Sequence, residues 1–316
     1  MTYLIRHITS FAYEPAVGES VMEVRLQPRS DTRQRCLTSS IQVRPRANVM
    51  VYRDFYGNTV HHFDIPGRHR SIEVVSEATV EMLPRLDVET MPQSSWEELD
   101  ELVAHGDYLE MLLASQFARP SELLHRLRHE FGLERRGEPL AVLKEMTTAI
   151  YENFDYAPNT TRVDSPIEEA LQARQGVCQD FAHIMIALGR QLRIPCRYVS
   201  GYLYHEDKCE DRSPAGASHA WVEAYLGEAG WVELDPTNKL LGCERHIRVA
   251  VGRDYADVPP TRGVHRGEAE SELRVLVTVS QVDAPKPEDL GPAMVFRSPR
   301  ATAAGNLELA QMQSQQ

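Results

Sequence analysis

The residues best suited to nucleophilic chemistry are a cysteine placed where a helix should begin and a histidine on a later strand. Cys178 lies in QGVCQDFAHIMIALGRQL (175–192), directly before a long apolar pattern with helical spacing. The first turn of a helix presents unpaired N–H groups and a partial positive charge, and both stabilise a thiolate. A structural cysteine gains nothing from this position, so we expect Cys178 to be a reactive thiol.

Strand alternation predicts that a histidine and a carboxylate meet further along the chain. In SHAWVEAYL, His219 and Trp221 fall on one face and small apolar residues fall on the other, so the first face is expected to line a cleft. The strand WVELD ends with Asp235, a carboxylate that could orient the imidazole. The two side chains share a face if the connecting loop has an odd number of residues, such as the five of 226–230, or if a bulge intervenes. We predict one of these two arrangements.

These motifs resemble those of a known family. GVCQDFAH, IPCRYVSGY, SHAWVEAYL and GWVELDPTN are similar to the motifs of the transglutaminase-like superfamily, a papain-related group of thiol enzymes, over about residues 150–240. The β-rich N-terminus and GRDYADVPPTRGV resemble bacterial members that carry an additional N-terminal β-domain. The resemblance implies that Cys178 is the nucleophile, His219 the general base and acid, and Asp235 the orienting carboxylate.

The expected reaction is attack of a thiolate on an amide carbonyl, which passes through an oxyanion to a thioester. His219 as an imidazolium would favour the Cys178 thiolate and later protonate the leaving amine. The N–H of Cys178 at the helix start would be one oxyanion donor. Tyr156, in FDYAPNT, is our candidate for the second donor, followed by Gln172.

Three side chains are candidates for contacting the substrate: Trp221, Tyr255 and Asp257. The last two lie in a segment of charged and aromatic residues that follows the Asp235 strand closely and could reach the cleft. A salt-bridged surface loop is an equally good interpretation of this segment. Simple packing is the alternative for Trp221.

The elements that must position these residues predict an α+β fold. Residues 1–88 alternate with period two and read as an all-β, sandwich-like domain. Residues 89–245 switch to helical spacing and then return to strands. The resemblance implies that this region is a papain- or transglutaminase-like core with a central helix packed on an antiparallel sheet. Residues 246–283 form a closing segment and strand, and 284–316 are expected to be a disordered tail.

Composition limits the classes of partner. The chain has 316 residues, 42% hydrophobic and 25% charged, with a net charge of −12, which disfavours a nucleic-acid binder. No apolar run approaches a membrane span, and the first residues lack the pattern of a leader peptide. We therefore expect a cytoplasmic protein with a peptide or amide-containing substrate and no membrane partner. Its oligomeric state stays open.

The remaining cysteines and polar neighbours are expected to be structural or incidental. Five cysteines without a C-x-x-C pair predict free thiols rather than a disulfide framework. Cys196 reads as a buried strand residue, and Cys209 and Cys243 as incidental loop residues. Asp180 should bond a neighbouring loop, and His183 should lie on the helix surface.

A zinc site is the chemical alternative. Cys178, His183, His205, Cys209 and His219 could be combined into a ligand set, but their close pairs lack the context of metal sites. We therefore predict no metal and no cofactor. Among functions, hydrolysis of a peptide, isopeptide or other amide bond is favoured. The alternatives are amide transfer to an amine, a catalytically silent binding module, and a scaffold that works through exposed β-edges.

Overall fold

The computed structural model describes residues 1–84, 87–92, 94–106, 108–158, 160–206 and 208–283. The strands are β1 (Thr2–Val17), β2 (Ser20–Val24), β3 (Gln34–Arg44), β4 (Met50–Arg53), β5 (Thr59–Ile65), β6 (His69–Met82), β7 (Asp155–Tyr156), β8 (Gln175–Gly176), β9 (Cys196–Leu203), β10 (His219–Tyr225), β11 (Trp231–Asp235), β12 (Leu240–Leu241), β13 (His246–Gly252), β14 (Thr261–His265) and β15 (Glu270–Val282). The helices are α1 (Trp96–Ala104), α2 (Glu122–Glu130), α3 (Pro139–Asn153), α4 (Ile167–Ala173) and α5 (Cys178–Gln191), with single 3-10 turns at Leu109–Met111, Gly227–Ala229 and Tyr255–Asp257. The tail predicted to be disordered at 284–316 lies outside the described residues.

The N-terminal part consists of two four-stranded antiparallel sheets with a shared apolar core. Their strand orders are β15-β1-β6-β3 and β14-β2-β5-β4. Inward residues alternate with outward ones, as in β2, where Met22 and Val24 are buried against Phe63 and Ile72. The closing segment supplies an outer strand to each sheet, because β15 pairs with β1 and β14 pairs with β2.

The core of the second part is a five-stranded antiparallel sheet, in the order β12-β11-β10-β9-β13, with α5 against one face. α5 is buried almost all round, as expected of a central helix. Its apolar residues, such as Phe181 and Ile184, pack with Ala220, Val222 and Ala224 of β10 in one cluster. The predicted α+β fold, with a central helix on an antiparallel sheet, is confirmed.

The connection between β10 and β11 has an odd number of residues, as predicted. Tyr225 pairs with Trp231 and Val222 with Leu234, so five residues, 226–230, form the connection. This register places His219 and Asp235 on the same face of the sheet. The odd loop is therefore confirmed, and no bulge is needed in this pair.

Among the described residues, no helix combines the length and the apolar character that a bilayer crossing requires.

Candidate active site

The cysteine sits at the first residue of α5, in a helix start that its neighbours hold tightly. The carboxylate of Asp180 accepts the N–H of Val177 at 2.8 Å and the hydroxyl of Thr161 at 2.6 Å. A Cβ on Gly176 would lie 2.8 Å from the Asp180 oxygen, so only glycine fits there without displacement. Asp180 therefore bonds a neighbouring loop, as predicted, and Cys178 is left half-buried at the free end of the helix.

The histidine and the aspartate form a buried hydrogen-bonded pair. Nε2 of His219 lies 2.8 Å from Oδ2 of Asp235, and both side chains are almost completely buried. The other oxygen, Oδ1, accepts the backbone N–H groups of Thr237 and Asn238. The carboxamide of Asn238 and Nε2 of His246 also reach Oδ2, at 2.8 and 3.1 Å. Asp235 is thus a fixed acceptor at the end of β11.

The electrostatics of this pair favour charge on both partners. Burial alone would lower the pKa of His219, but the charge and hydrogen bond of Asp235 and the interaction with Cys178 raise it to about 10. Burial likewise opposes ionisation of Asp235, yet the two histidines hold its pKa far below the ordinary range. Because Nε2 of His219 is used by Asp235, Nδ1 is the atom left for Cys178, and it has no other hydrogen-bond partner among the described residues.

Comparisons with known proteins address the family. The model of the transglutaminase-like superfamily matches residues 132–236, and that of the bacterial transglutaminase-like N-terminal region matches residues 3–81. The chain belongs to the transglutaminase-like superfamily. Its two matched regions coincide with the second part of the fold and with the N-terminal β-sheets.

Individual relatives extend the match along the chain. An uncharacterized protein of Mycobacterium leprae is 33% identical over 281 residues, which are 87% of this chain and 97% of that protein. A crystal structure of a candidate cysteine protease from Cytophaga hutchinsonii shares the fold, with a TM-score of 0.68, 23% identity, and 90% and 92% of the two chains covered. A protein-glutamine gamma-glutamyltransferase of Pseudomonas aeruginosa is 29% identical over 193 residues, 56% of this chain but only 26% of that protein.

One of the two predicted oxyanion donors lies beside the cysteine of this transglutaminase-like protein. Tyr156 belongs to β7, which pairs with β8 directly before Cys178. Burial, followed by the nearby charges of Cys178 and Asp180, raises the pKa of Tyr156, so its hydroxyl keeps its proton and can donate. Gln172 is exposed on α4, so packing does not hold its side chain in a fixed position, and Tyr156 is the better candidate for the second donor.

Trp221 does not have the surface that contact with a substrate would require. Its side chain is completely buried, with its ring 5.9 Å from that of His219 and 5.0 Å from that of His246. A Cβ on Gly201 would lie 2.5 Å from the indole, so β9 has no room for a side chain at this position. The expectation of substrate contact at Trp221 is wrong, because its side chain is buried in a cluster with Val199 of β9 and Val251 of β13.

The two other predicted substrate contacts lie in a 3-10 turn whose side chains already have partners. Asp257 forms an ion pair with Arg253 at 2.9 Å, as in the salt-bridged alternative. Tyr255 is half-buried, with its ring 6.3 Å from Tyr198, a residue that interacts with Cys178. Its N–H donates to Nε2 of His183 at 3.1 Å. His183 is buried, so the expectation of a helix-surface residue is wrong: the turn covers that face of α5.

The sheet face that carries His219 is largely covered rather than open. Glu223 is completely buried between Arg197 and Arg248, and Arg248 also bonds Asp31 of the N-terminal part. A cavity of about 980 Å³ remains at the Trp231 end of this face. Neither Cys178 nor His219 lines it, so this cavity is separate from those two residues.

Sequence reasoning missed His246 and Asn238, both of which bond Asp235. Asn238 follows Asp235 by three residues, and the DPTN turn could have suggested an amide returning to the carboxylate. For His246, no local signal exists, because it comes from β13, which lies beyond β9 and β10 in the sheet. The ligand atoms of His219, Asp235 and His246 all lie within 4.8 Å of one another, but their contacts of 2.8 and 3.1 Å are hydrogen-bond lengths.

Proposed function

We propose that this protein is a thiol hydrolase that cleaves a peptide, isopeptide or other amide bond through Cys178, His219 and Asp235. The observation that carries the proposal is the buried pair of His219 and Asp235, in which Nδ1 of His219 is left without a hydrogen-bond partner among the described residues. Cys178, half-exposed at a helix start, is near enough to contribute to the raised pKa of His219. This arrangement supplies a nucleophile, a proton carrier and an orienting carboxylate in one line.

The proposed reaction follows from the positions of these groups. The Cys178 sulfur attacks the amide carbon, and the carbonyl oxygen becomes an oxyanion that the Cys178 N–H and the Tyr156 hydroxyl stabilise. His219 gives its Nδ1 proton to the amide nitrogen as the C–N bond breaks, which releases the amine and leaves a thioester. Water then attacks the thioester, His219 accepts its proton, and the acid leaves as the thiolate returns.

Amine transfer is the alternative at the second step. The name of the Pseudomonas aeruginosa relative, a protein-glutamine gamma-glutamyltransferase, is the observation in its favour. The two reactions share every step up to the thioester, so they require the same three residues. Water reaches a half-exposed thiol without a dedicated acceptor site, and for this reason we propose hydrolysis. A glutamine-peptide assay with and without an added primary amine separates ammonia release alone from amine incorporation.

The first test concerns the activation of the thiol rather than any one substrate. We expect Cys178 to react with iodoacetamide rapidly below pH 7, and this advantage to disappear in His219→Ala. The rates are measured from pH 4 to 9 by peptide mass, and the exposed Cys209 in the same digest is the internal control. Equal rates at Cys178 in the two proteins, or a Cys178 rate no higher than that of Cys209, would contradict the proposal and favour a silent binding module.

The cellular compartment belongs to the same proposal. All five cysteines are free thiols in the structure. A thiol nucleophile with four further free thiols suits a reducing compartment, and we therefore propose the cytoplasm. Fractionation of cells that produce the full-length protein tests this.

A further inference from the structure

A second cysteine and a second histidine are attached to the carboxylate of the proposed active site. Sγ of Cys243 lies 3.4 Å from Nδ1 of His246, and Nε2 of His246 lies 3.1 Å from Oδ2 of Asp235. The same Oδ2 atom accepts from Nε2 of His219. Both histidines therefore bind the aspartate through Nε2 and turn Nδ1 towards a thiol.

The second thiol and its imidazole are held together by a tight turn. The backbone N–H of His246 donates to the carbonyl of Cys243 at 3.1 Å, and the backbone N–H of Cys243 donates to Nδ1 of His246 at 3.4 Å. The imidazole of His246 is completely buried and contacts the ring of Trp221. It cannot rotate away from Cys243 without losing Asp235, so the pair is preorganised.

The charges around this pair favour the thiolate. Burial opposes a charged imidazole, but Asp235 and Cys243 raise the pKa of His246 to about 9. Burial also opposes a thiolate at Cys243, yet His246 and the backbone N–H of Arg245 together lower the pKa of this thiol. The contrast is Cys36, a half-buried thiol without an imidazole, where burial raises the pKa to about 11.

Cys243 is also accessible from a space large enough for a small molecule. It is half-buried and lines the cavity of about 980 Å³, together with Gly242, Leu241 and Trp231. The cavity contains both apolar side chains and arginines such as Arg197, so a small polar molecule fits it. Cys178 does not line this cavity, so a molecule bound in it contacts Cys243 and not Cys178.

We propose that Cys243 is a second activated thiol, a modification site for low-molecular-weight disulfides that enter this cavity. The Cys243 thiolate attacks one sulfur of the disulfide, a new S–S bond forms, and the original S–S bond breaks. The departing thiolate takes a proton from water. One half of the disulfide stays on Cys243 as a mixed disulfide and the other half leaves as the thiolate, so the number of S–S bonds is unchanged and no further oxidant is needed. His246 keeps its own proton throughout.

The test uses bis(2-hydroxyethyl) disulfide at pH 7 and the full chain carrying Cys178→Ala, so that the result does not depend on the proposed nucleophile. Peptide mass gives the rate of mixed-disulfide formation at each remaining cysteine. We expect Cys243 to react about threefold or more faster than the exposed Cys209, because its larger thiolate fraction outweighs the lower nucleophilicity of a stabilised thiolate. The half-buried Cys36 is the control for accessibility and should react most slowly of the three.

The variant His246→Asn in the same chain removes the imidazole and should reduce the Cys243 rate to that of Cys209 or below. A Cys243 rate no higher than that of Cys209 before this change, or a fast rate that His246→Asn leaves unaltered, would overturn the proposal. If circular dichroism shows that His246→Asn does not fold, the proposal is tested by the reaction rate of Cys243 compared with the rates of Cys209 and Cys36 in the chain with His246 intact.

Discussion

Removal of the negative charge of Asp235 is the change whose effect on the proposed site can be calculated most directly. Asp235→Asn keeps the size of the side chain but removes the negative charge that balances burial of His219. Burial then dominates, the pKa of His219 falls, and the imidazole becomes neutral at pH 7. We expect the fast alkylation of Cys178 below pH 7 to be lost.

The raised pKa of His219 sets the size of the expected loss in the alkylation rate. The pKa of His219 is raised from 6.5 to about 10, which corresponds to about 5 kcal/mol of preference for the charged form. An ordinary free cysteine is about 0.3% thiolate at pH 6, whereas a cysteine paired with an imidazolium is mostly thiolate. The lower nucleophilicity of the paired thiolate offsets part of this difference. The alkylation rate of Cys178 at pH 6 should therefore fall about tenfold or more in Asp235→Asn.

Stability should change with pH in the same variant. Because the pKa of His219 is raised on folding, its contribution is complete below about pH 6.5 and is lost as the pH rises through about 10. Asp235→Asn should therefore reduce the free energy of unfolding by about 3–5 kcal/mol at pH 7, with the difference narrowing towards pH 10. Urea unfolding at both pH values measures this.

Glu223→Gln is the matched control. Glu223 is a completely buried carboxylate on the same sheet face, paired with Arg197 and Arg248 rather than with His219. Its loss should cost a similar free energy of unfolding but leave the alkylation of Cys178 unchanged. Our reasoning is refuted if Asp235→Asn alkylates within twofold of the parent at pH 6, or if Glu223→Gln slows the reaction as much.

Two further predictions concern the oxyanion donor and the helix start. Tyr156→Phe should lower kcat on an amide substrate by about 100-fold or more, but it should not slow the alkylation of Cys178 by iodoacetamide, because that reaction has no oxyanion. Gln172→Ala should change neither rate. A Tyr156→Phe variant with full kcat would show that this residue is not the oxyanion donor. Gly176→Ala should lower the melting temperature, because its Cβ would lie 2.8 Å from the Asp180 carboxylate, whereas Gly67→Ala, with no atom within 4 Å of the added carbon, should not. Equal melting temperatures for the two variants would show that the helix start relaxes freely.

The sequence by itself determined the local features of the site. The helix begins at Cys178 because an apolar helical period starts there, and Gly176 leaves room for the carboxylate that holds the first turn. A side-chain period of two predicted that an odd connection or a bulge would place His219 and Asp235 on one face, and the structure shows the odd connection 226–230.

Only the tertiary structure decided what covers that face. β13 pairs with the far side of β9, so its first residue, His246, reaches Asp235, and the short connection before it places Cys243 beside His246. The same packing buries Trp221, and Cys178 does not line the cavity of about 980 Å³ on this face. Periodicity predicts which side chains share a face of the sheet. The segments that pack against that face are distant in the chain, so their positions depend on the whole fold.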